Sequence, residues 1–191
     1  MSLPQLPEDE REARRALRRR LLDARATLPQ RAAADARIAA ALSDLLAGLA
    51  AHRLGFYWPI QQEFDARAVV AQWLAAVPGR VAALPVISRP GAPLDFHDWT
   101  PATPMTAGHY GIPIPDGTAP VTPDVLLIPC VGFSAGKYRL GYGGGFYDRT
   151  LAALHGKPVA IGIGFEACRI DLPPQAHDLP MDWIVSENGA F

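Results

Sequence analysis

The sequence predicts an α/β fold: a single domain with a largely parallel central sheet flanked by helices, and an N-terminal helical hairpin packed on it. Three observations lead there. After residue 52, short apolar runs of strand length alternate with helical patterns, as in a sheet wound by crossovers. The run Val125-Leu126-Leu127-Ile128 is apolar at every position, as a strand buried on both faces requires. Ahead of these runs lie two stretches with helical periodicity.

Residues 8–27 read as the first helix. Ala13, Leu17, Leu21 and Ala24 follow an i, i+4 rhythm widened by Leu22, and Pro29 ends it. Arg11, Arg14, Arg15, Arg18 and Arg19 fall largely off that stripe. A second, alanine-rich helix covers about 31–51, with Ile38, Leu42, Leu45, Leu46 and Leu49 on its apolar side. Leu54 to Trp58 is a short strand closed by Pro59, Ala66 to Val77 a helix and Arg80 to Ile87 a buried strand. Residues 88–123 carry prolines at 90, 93, 101, 104, 113, 115, 120 and 123, which makes them an excursion of short strands and loops within the domain. The strand at Val125 to Ile128 is followed by a helix from Phe146 to Leu154, then strands at Val159 to Phe165 and Trp183 to Val185.

Composition narrows the function classes. The 191 residues suit one domain, and a 49% hydrophobic content supplies a core. A net charge of −1 gives no global pull toward nucleic acid or an anionic membrane. No run approaches the ~20 apolar residues of a membrane span. The N-terminal segment has no signal-peptide core, and its acids (Glu8, Asp9, Glu10, Glu12) are foreign to a transit peptide, so a cytoplasmic location is expected. Cys130 and Cys168 lack metal-ligand spacing and read as free buried thiols.

The sharpest feature is Arg139-Leu140-Gly141-Tyr142-Gly143-Gly144-Gly145-Phe146-Tyr147-Asp148. Four glycines in five positions remove the Cβ atoms that block close backbone approach to an anion. Successive N–H groups can form a concave nest, and the helix that follows adds unpaired donors. Arg139 can fork onto phosphate oxygens; Asp148 can coordinate Mg²⁺ or favour the helix N-terminus. No Gly-Lys-Ser/Thr follows, so this is not a Walker A loop, and the third glycine of G-x-G-x-x-G would fall on Phe146. On the glycines alone, a phosphate site and a tight strand-to-helix turn both remain open.

Residues Gly136 to Leu151 resemble the signature of the 5-formyltetrahydrofolate cyclo-ligase family. Weaker pieces occur in the family's order: Leu17-Arg18, Tyr57-Trp58-Pro59 with Glu63, Leu84-Pro85, Gly111 to Pro115, Leu172-Pro173, His177-Asp178 and Met181 to Val185. The resemblance implies an ATP-dependent ligase that turns 5-formyltetrahydrofolate into 5,10-methenyltetrahydrofolate, releasing ADP and phosphate. It implies ATP contacts at Arg14, Arg18, Gly141, Gly143, Gly144, Gly145, Phe146 and Tyr147. Arg139 and Asp148 would be catalytic, with Mg²⁺ on Asp148 and Asp178, and Glu63, Trp58 and Tyr110 would meet the folate. A monomer acting on a small-molecule folate, with or without a polyglutamate tail and with no nucleic acid or membrane partner, is expected.

The chain departs from the family pattern in several places. Arg14 and Gly144 stand where relatives often carry lysine, and Ser134 where an aspartate often follows phenylalanine. Ile114 and Cys168 replace a glutamate and a glutamine in a region assigned to folate. The alternative reading is a non-catalytic nucleotide- or folate-binding relative, or an RNA-associated one using the arginine helix.

Overall fold

The computed structural model describes residues 8–154, 156–171 and 178–191. Two helices come first, α1 (Glu8–Ala26) and α2 (Arg31–Gly48). Strand β1 (Arg53–Gly55) leads through α3 (Arg67–Ala76) to β2 (Val81–Val86), and β3 (Asp95–Trp99) turns back beside it. A two-stranded ribbon follows, β4 (Met105–Ala107) and β5 (Pro113–Pro115). Then come β6 (Val125–Pro129) and a hairpin of β7 (Gly132–Phe133) and β8 (Arg139–Leu140). Helix α4 (Phe146–Ala153), β9 (Val159–Ile163), β10 (Trp183–Ser186) and β11 (Gly189–Ala190) complete the described chain.

The seven-stranded sheet has the order β11-β10-β9-β6-β1-β2-β3. Every neighbouring pair from β10 to β2 is parallel, while β3 and β11 run antiparallel at the two edges. Leu54 sits between Ala82 of β2 and Val125 of β6, so the chain leaves β1 first to one side and then to the other. That reversal opens a crevice beyond the carboxyl ends of β1 and β6, where open α/β sheets bind ligands.

Strand alternation explains the layers. Side chains one apart point to opposite faces. Val125 and Leu127 join the core under α2 and α3, with Ile38, Leu42, Leu46 and Val70. Leu126 and Ile128 join the opposite core, against Phe146, Tyr147 and Leu151 of α4. A third, smaller core sets Leu17, Leu21 and Leu22 of α1 on Val131, Leu140 and Cys168.

The largely parallel sheet and the N-terminal helical pair agree with the sequence. The two helices feed different cores: α2 covers the sheet, whereas the stripe of α1 lies on the β7–β8 hairpin. The expected strand at Leu54 to Trp58 ends at Gly55, because the chain turns out of the sheet into the crevice. The proline-rich stretch holds β3, β4 and β5; Pro113 and Pro115 tolerate a strand because the ribbon is only two strands wide. No helix among the described residues is long and apolar enough to cross a membrane. Leu127 is fully buried between strands that carry the crevice. Leu127→Ala should therefore cost about 2–5 kcal/mol of unfolding free energy, read as a lower urea midpoint with unchanged slope.

Candidate functional site

At the crevice lies a cavity of about 790 Å³. Its wall combines α1 (Arg11, Arg14, Arg15, Arg18), the segment after β1 (Tyr57, Trp58, Ile60, Glu63), the β4–β5 ribbon (Tyr110, Ile112, Ile114) and the glycine loop running into α4. Every site residue expected from the sequence lines it: Arg14, Arg18, Trp58, Glu63, Tyr110, Arg139, Gly141, Gly143 to Asp148, and Asp178. His177, Leu172 and Pro173 lie outside the described residues.

The glycine loop leaves β8 and ends at the N-cap of α4, Gly145, which has φ 64° and no side-chain cap. The first-turn N–H groups of α4 are therefore not held by a capping side chain. Two loop carbonyls are tied back to guanidinium groups: Arg18 Nε donates to Gly141 O at 2.8 Å, and Arg149 Nη2 to Gly144 O at 2.8 Å. Gly143 has φ 94°, a conformation that calls for glycine, and a Cβ there would stand 3.2 Å from the Arg18 guanidinium carbon.

Arg139 Nη2 donates to Asp148 Oδ1 at 2.7 Å, joining the residues on either side of the loop. Asp148 thus faces an arginine across the loop rather than capping the helix. Arg14 lies 3.9 Å from Asp178. Burial, and then the charges of Arg14 and Arg15, pull Arg18 below the ordinary guanidinium value. Arginines crowded to that degree favour an anion between them.

Another part of the cavity wall is organised around Glu63, which is 6% exposed. Glu63 Oε2 accepts the Ile60 N–H at 2.9 Å and Oε1 accepts the Tyr142 hydroxyl at 2.7 Å. The turn before it holds Gln61 and Gln62 at φ 45° and 62°, an uncommon pair of non-glycine left-handed residues. Burial pushes the Glu63 carboxyl up, against the opposing Ile60 and Tyr142 hydrogen bonds and the charge of Arg25. Trp58 has Arg67 over its ring at 4.4 Å, itself held by Asp65, so one face of the indole is already covered. Tyr110 is 76% exposed at φ 58°, at the cavity's outer edge.

Two carboxylates, Asp148 and Asp178, line the cavity near the loop, and no group of three or more His, Cys, Asp or Glu side chains suits a metal among the described residues. That donor set fits Mg²⁺, which takes one or two carboxylates together with substrate phosphates and water.

Sequence reasoning missed Arg25, Tyr142 and Arg149. Arg149 adjoins Asp148 in the signature, which was signal enough; Arg25 and Tyr142 act through partners far away in sequence. Ile114 lines the cavity, but Cys168 is packed under α1 with its Sγ on Leu21 O, so its departure from the family pattern concerns packing and not a cavity contact.

A family profile described as the 5-formyltetrahydrofolate cyclo-ligase family matches residues 10–187. Among curated proteins, the 5-formyltetrahydrofolate cyclo-ligase of Haemophilus influenzae is 34% identical over 93 residues, 45% of this chain and 50% of that protein. The sequence match thus spans about half the length of that relative. Among solved structures, the 5,10-methenyltetrahydrofolate synthetase of Mycoplasma pneumoniae superposes with a TM-score of 0.73 at 26% identity, covering 91% of this chain and 98% of that one. The synthetase of Aquifex aeolicus gives 0.75 at 25% identity, covering 93% and 91%.

The environment of Glu63 makes a testable statement about stability. Unfolded, the carboxyl titrates near its ordinary 4.5; folded, it titrates higher. The folded state therefore binds the proton more tightly, and stability is lost as pH rises from the unfolded value through the folded one. Unfolding free energies of the wild type and Glu63→Gln should diverge over that window, the wild type losing ground as pH rises. A difference independent of pH would contradict the raised titration.

Proposed function

The chain belongs to the 5-formyltetrahydrofolate cyclo-ligase family, and from that premise we propose that it uses ATP to close 5-formyltetrahydrofolate into 5,10-methenyltetrahydrofolate, releasing ADP and phosphate. The observation that carries the reading is one cavity whose wall combines a glycine loop under helix arginines with a buried carboxylate amid aromatic and aliphatic side chains.

Phosphoryl transfer needs positioning and charge neutralisation more than a protein nucleophile. In our reading the N–H groups of Gly141, Gly143, Gly144, Gly145, Phe146 and Tyr147 cradle the ATP phosphates, and Arg14 and Arg18 reach them from α1. Arg139 offsets the charge that builds on the transferred group, while its bond to Asp148 fixes both side chains. Bound Mg²⁺ supplies charge neutralisation at the phosphates, with Asp148 and Asp178 to hold it. Glu63 accepts from the pterin N–H groups, and Trp58 and Tyr110 offer ring faces. The formyl oxygen takes the phosphoryl group as ADP leaves; N10 then attacks the activated carbon, and phosphate and the N10 proton depart. We read the enzyme as a cytoplasmic monomer whose substrate is a folate with or without a polyglutamate tail.

Purified protein given 5-formyltetrahydrofolate and MgATP should develop the near-ultraviolet absorbance of the methenyl product. ATP binding without product would return the chain to the non-catalytic alternative. Asp148→Asn should lower turnover by about a hundredfold or more with the circular dichroism spectrum preserved; unchanged turnover would leave Asp148 with no part in the chemistry.

A further inference from the structure

The residue between Gly141 and Gly143 reaches away from the phosphate end of the cavity. Tyr142 sends its hydroxyl to Glu63 Oε1 at 2.7 Å and receives Arg25 Nη2 at 2.7 Å. Arg25 is 2% exposed and is fixed from two further directions, with Nε on Gln61 O at 3.1 Å and Nη1 on Cys130 O at 3.3 Å. A guanidinium cannot accept a proton. The hydroxyl must therefore accept from Arg25, and its own proton is committed to Glu63.

The same logic sets what Glu63 has left. Its Oε1 takes the tyrosine, its Oε2 takes the Ile60 N–H, and its backbone oxygen takes Arg31 Nη2 at 3.0 Å. Each carboxylate oxygen keeps a second lone pair, and the side chain lines the cavity. Two acceptor sites held side by side match a pair of parallel N–H donors on a planar ligand.

We infer that Tyr142, held by Arg25, is a positioning residue that aims both oxygens of Glu63 at the folate, so that the phosphate loop itself sets the folate-binding carboxylate. This rests on the folate reading above. The loop end of the link is anchored as well, since Arg18 holds the Gly141 carbonyl beside it. The other ionisable groups that bear on Glu63 are Arg25 from α1, Tyr57 after β1, Cys130 after β6 and Tyr147 of α4, and burial keeps the last three neutral at ordinary pH.

Tyr142→Phe removes one oxygen and leaves the ring in place. With the hydroxyl gone, the Michaelis constant for 5-formyltetrahydrofolate should rise about tenfold, while that for ATP and the turnover number stay within about twofold. The acid limb of kcat/KM for the folate should move to higher pH, because a donor that favoured the carboxylate is lost. Equal rises for both substrates, or a limb that stays in place, would overturn the inference and make Tyr142 a structural anchor of the loop. Arg25→Lys, which leaves the loop sequence intact, should move the same two readouts in the same direction and serves if the first variant does not fold.

Failure of the folate reading shows separately, as absence of product from the wild type. Positioning of Glu63 is then decided without substrate. In protein labelled with ¹³C-glutamate, with the signal assigned by its loss in Glu63→Gln, the Glu63 carboxyl resonance should titrate at higher pH in Tyr142→Phe than in the wild type. An unchanged midpoint would overturn the link.

Discussion

A guanidinium taken out of water loses its hydration and must find polar partners inside the protein. Arg25 meets that demand by drawing four parts of the chain to one point: α1 itself, the Gln61 carbonyl, the Cys130 carbonyl just beyond β6, and the hydroxyl of Tyr142 in the glycine loop. These are the pieces that make the cavity. The switch point of the sheet provides the opening between β1 and β6, but Arg25 fixes what is placed around it. The Leu17 and Leu21 stripe seats α1 on the β7–β8 hairpin, and the arginines beside that stripe then face the loop that the hairpin launches.

The same arrangement concentrates positive charge where the backbone is barest. Arg11, Arg14, Arg15 and Arg18 line one wall, opposite glycines that present main chain rather than side chain. Burial, and behind it the charges of Arg14 and Arg15, lower the titration of Arg18, and these like-charged groups repel one another. Asp178 near Arg14 and Asp148 on Arg139 relieve part of that field. In the proposed reading a bound polyanion would relieve the rest.

Much of this was legible in the sequence because the signals were local. The apolar run at Val125, the helical rhythm of Leu17 and Leu21, and the glycine cluster each carry their meaning within a few residues. The edge strand β3 and the β7–β8 hairpin were not legible: two-residue strands have no periodicity to read, and β3 sits among prolines. Arg25 looked like any other arginine of a charged helix, because its burial depends on partners 36 to 117 positions away. Tyr142 looked like the spacer in a G-x-G pattern, because nothing nearby in sequence reveals that its hydroxyl ends on Glu63. Cys168, assigned to the folate region by position, is claimed by the core under α1.

The two parts of the proposed site also differ in how they tolerate change. Under the proposed function the phosphates would be held by main-chain donors, which any sequence supplies once glycines let the backbone turn. The folate of that proposal would depend on side chains, and at Ile114 the cavity wall is aliphatic. Among the described lining residues the acids are Glu63, Asp148 and Asp178. Asp148 is bound to Arg139 and Asp178 lies beside Arg14. In the proposed reading, acceptor chemistry for a folate would therefore fall on Glu63 among these three. A single buried carboxylate can carry that load only if its orientation is set in advance, since reorientation on binding would consume part of the affinity it provides. The strained turn at Gln61 and Gln62, the Ile60 N–H and the Tyr142 hydroxyl together supply that orientation.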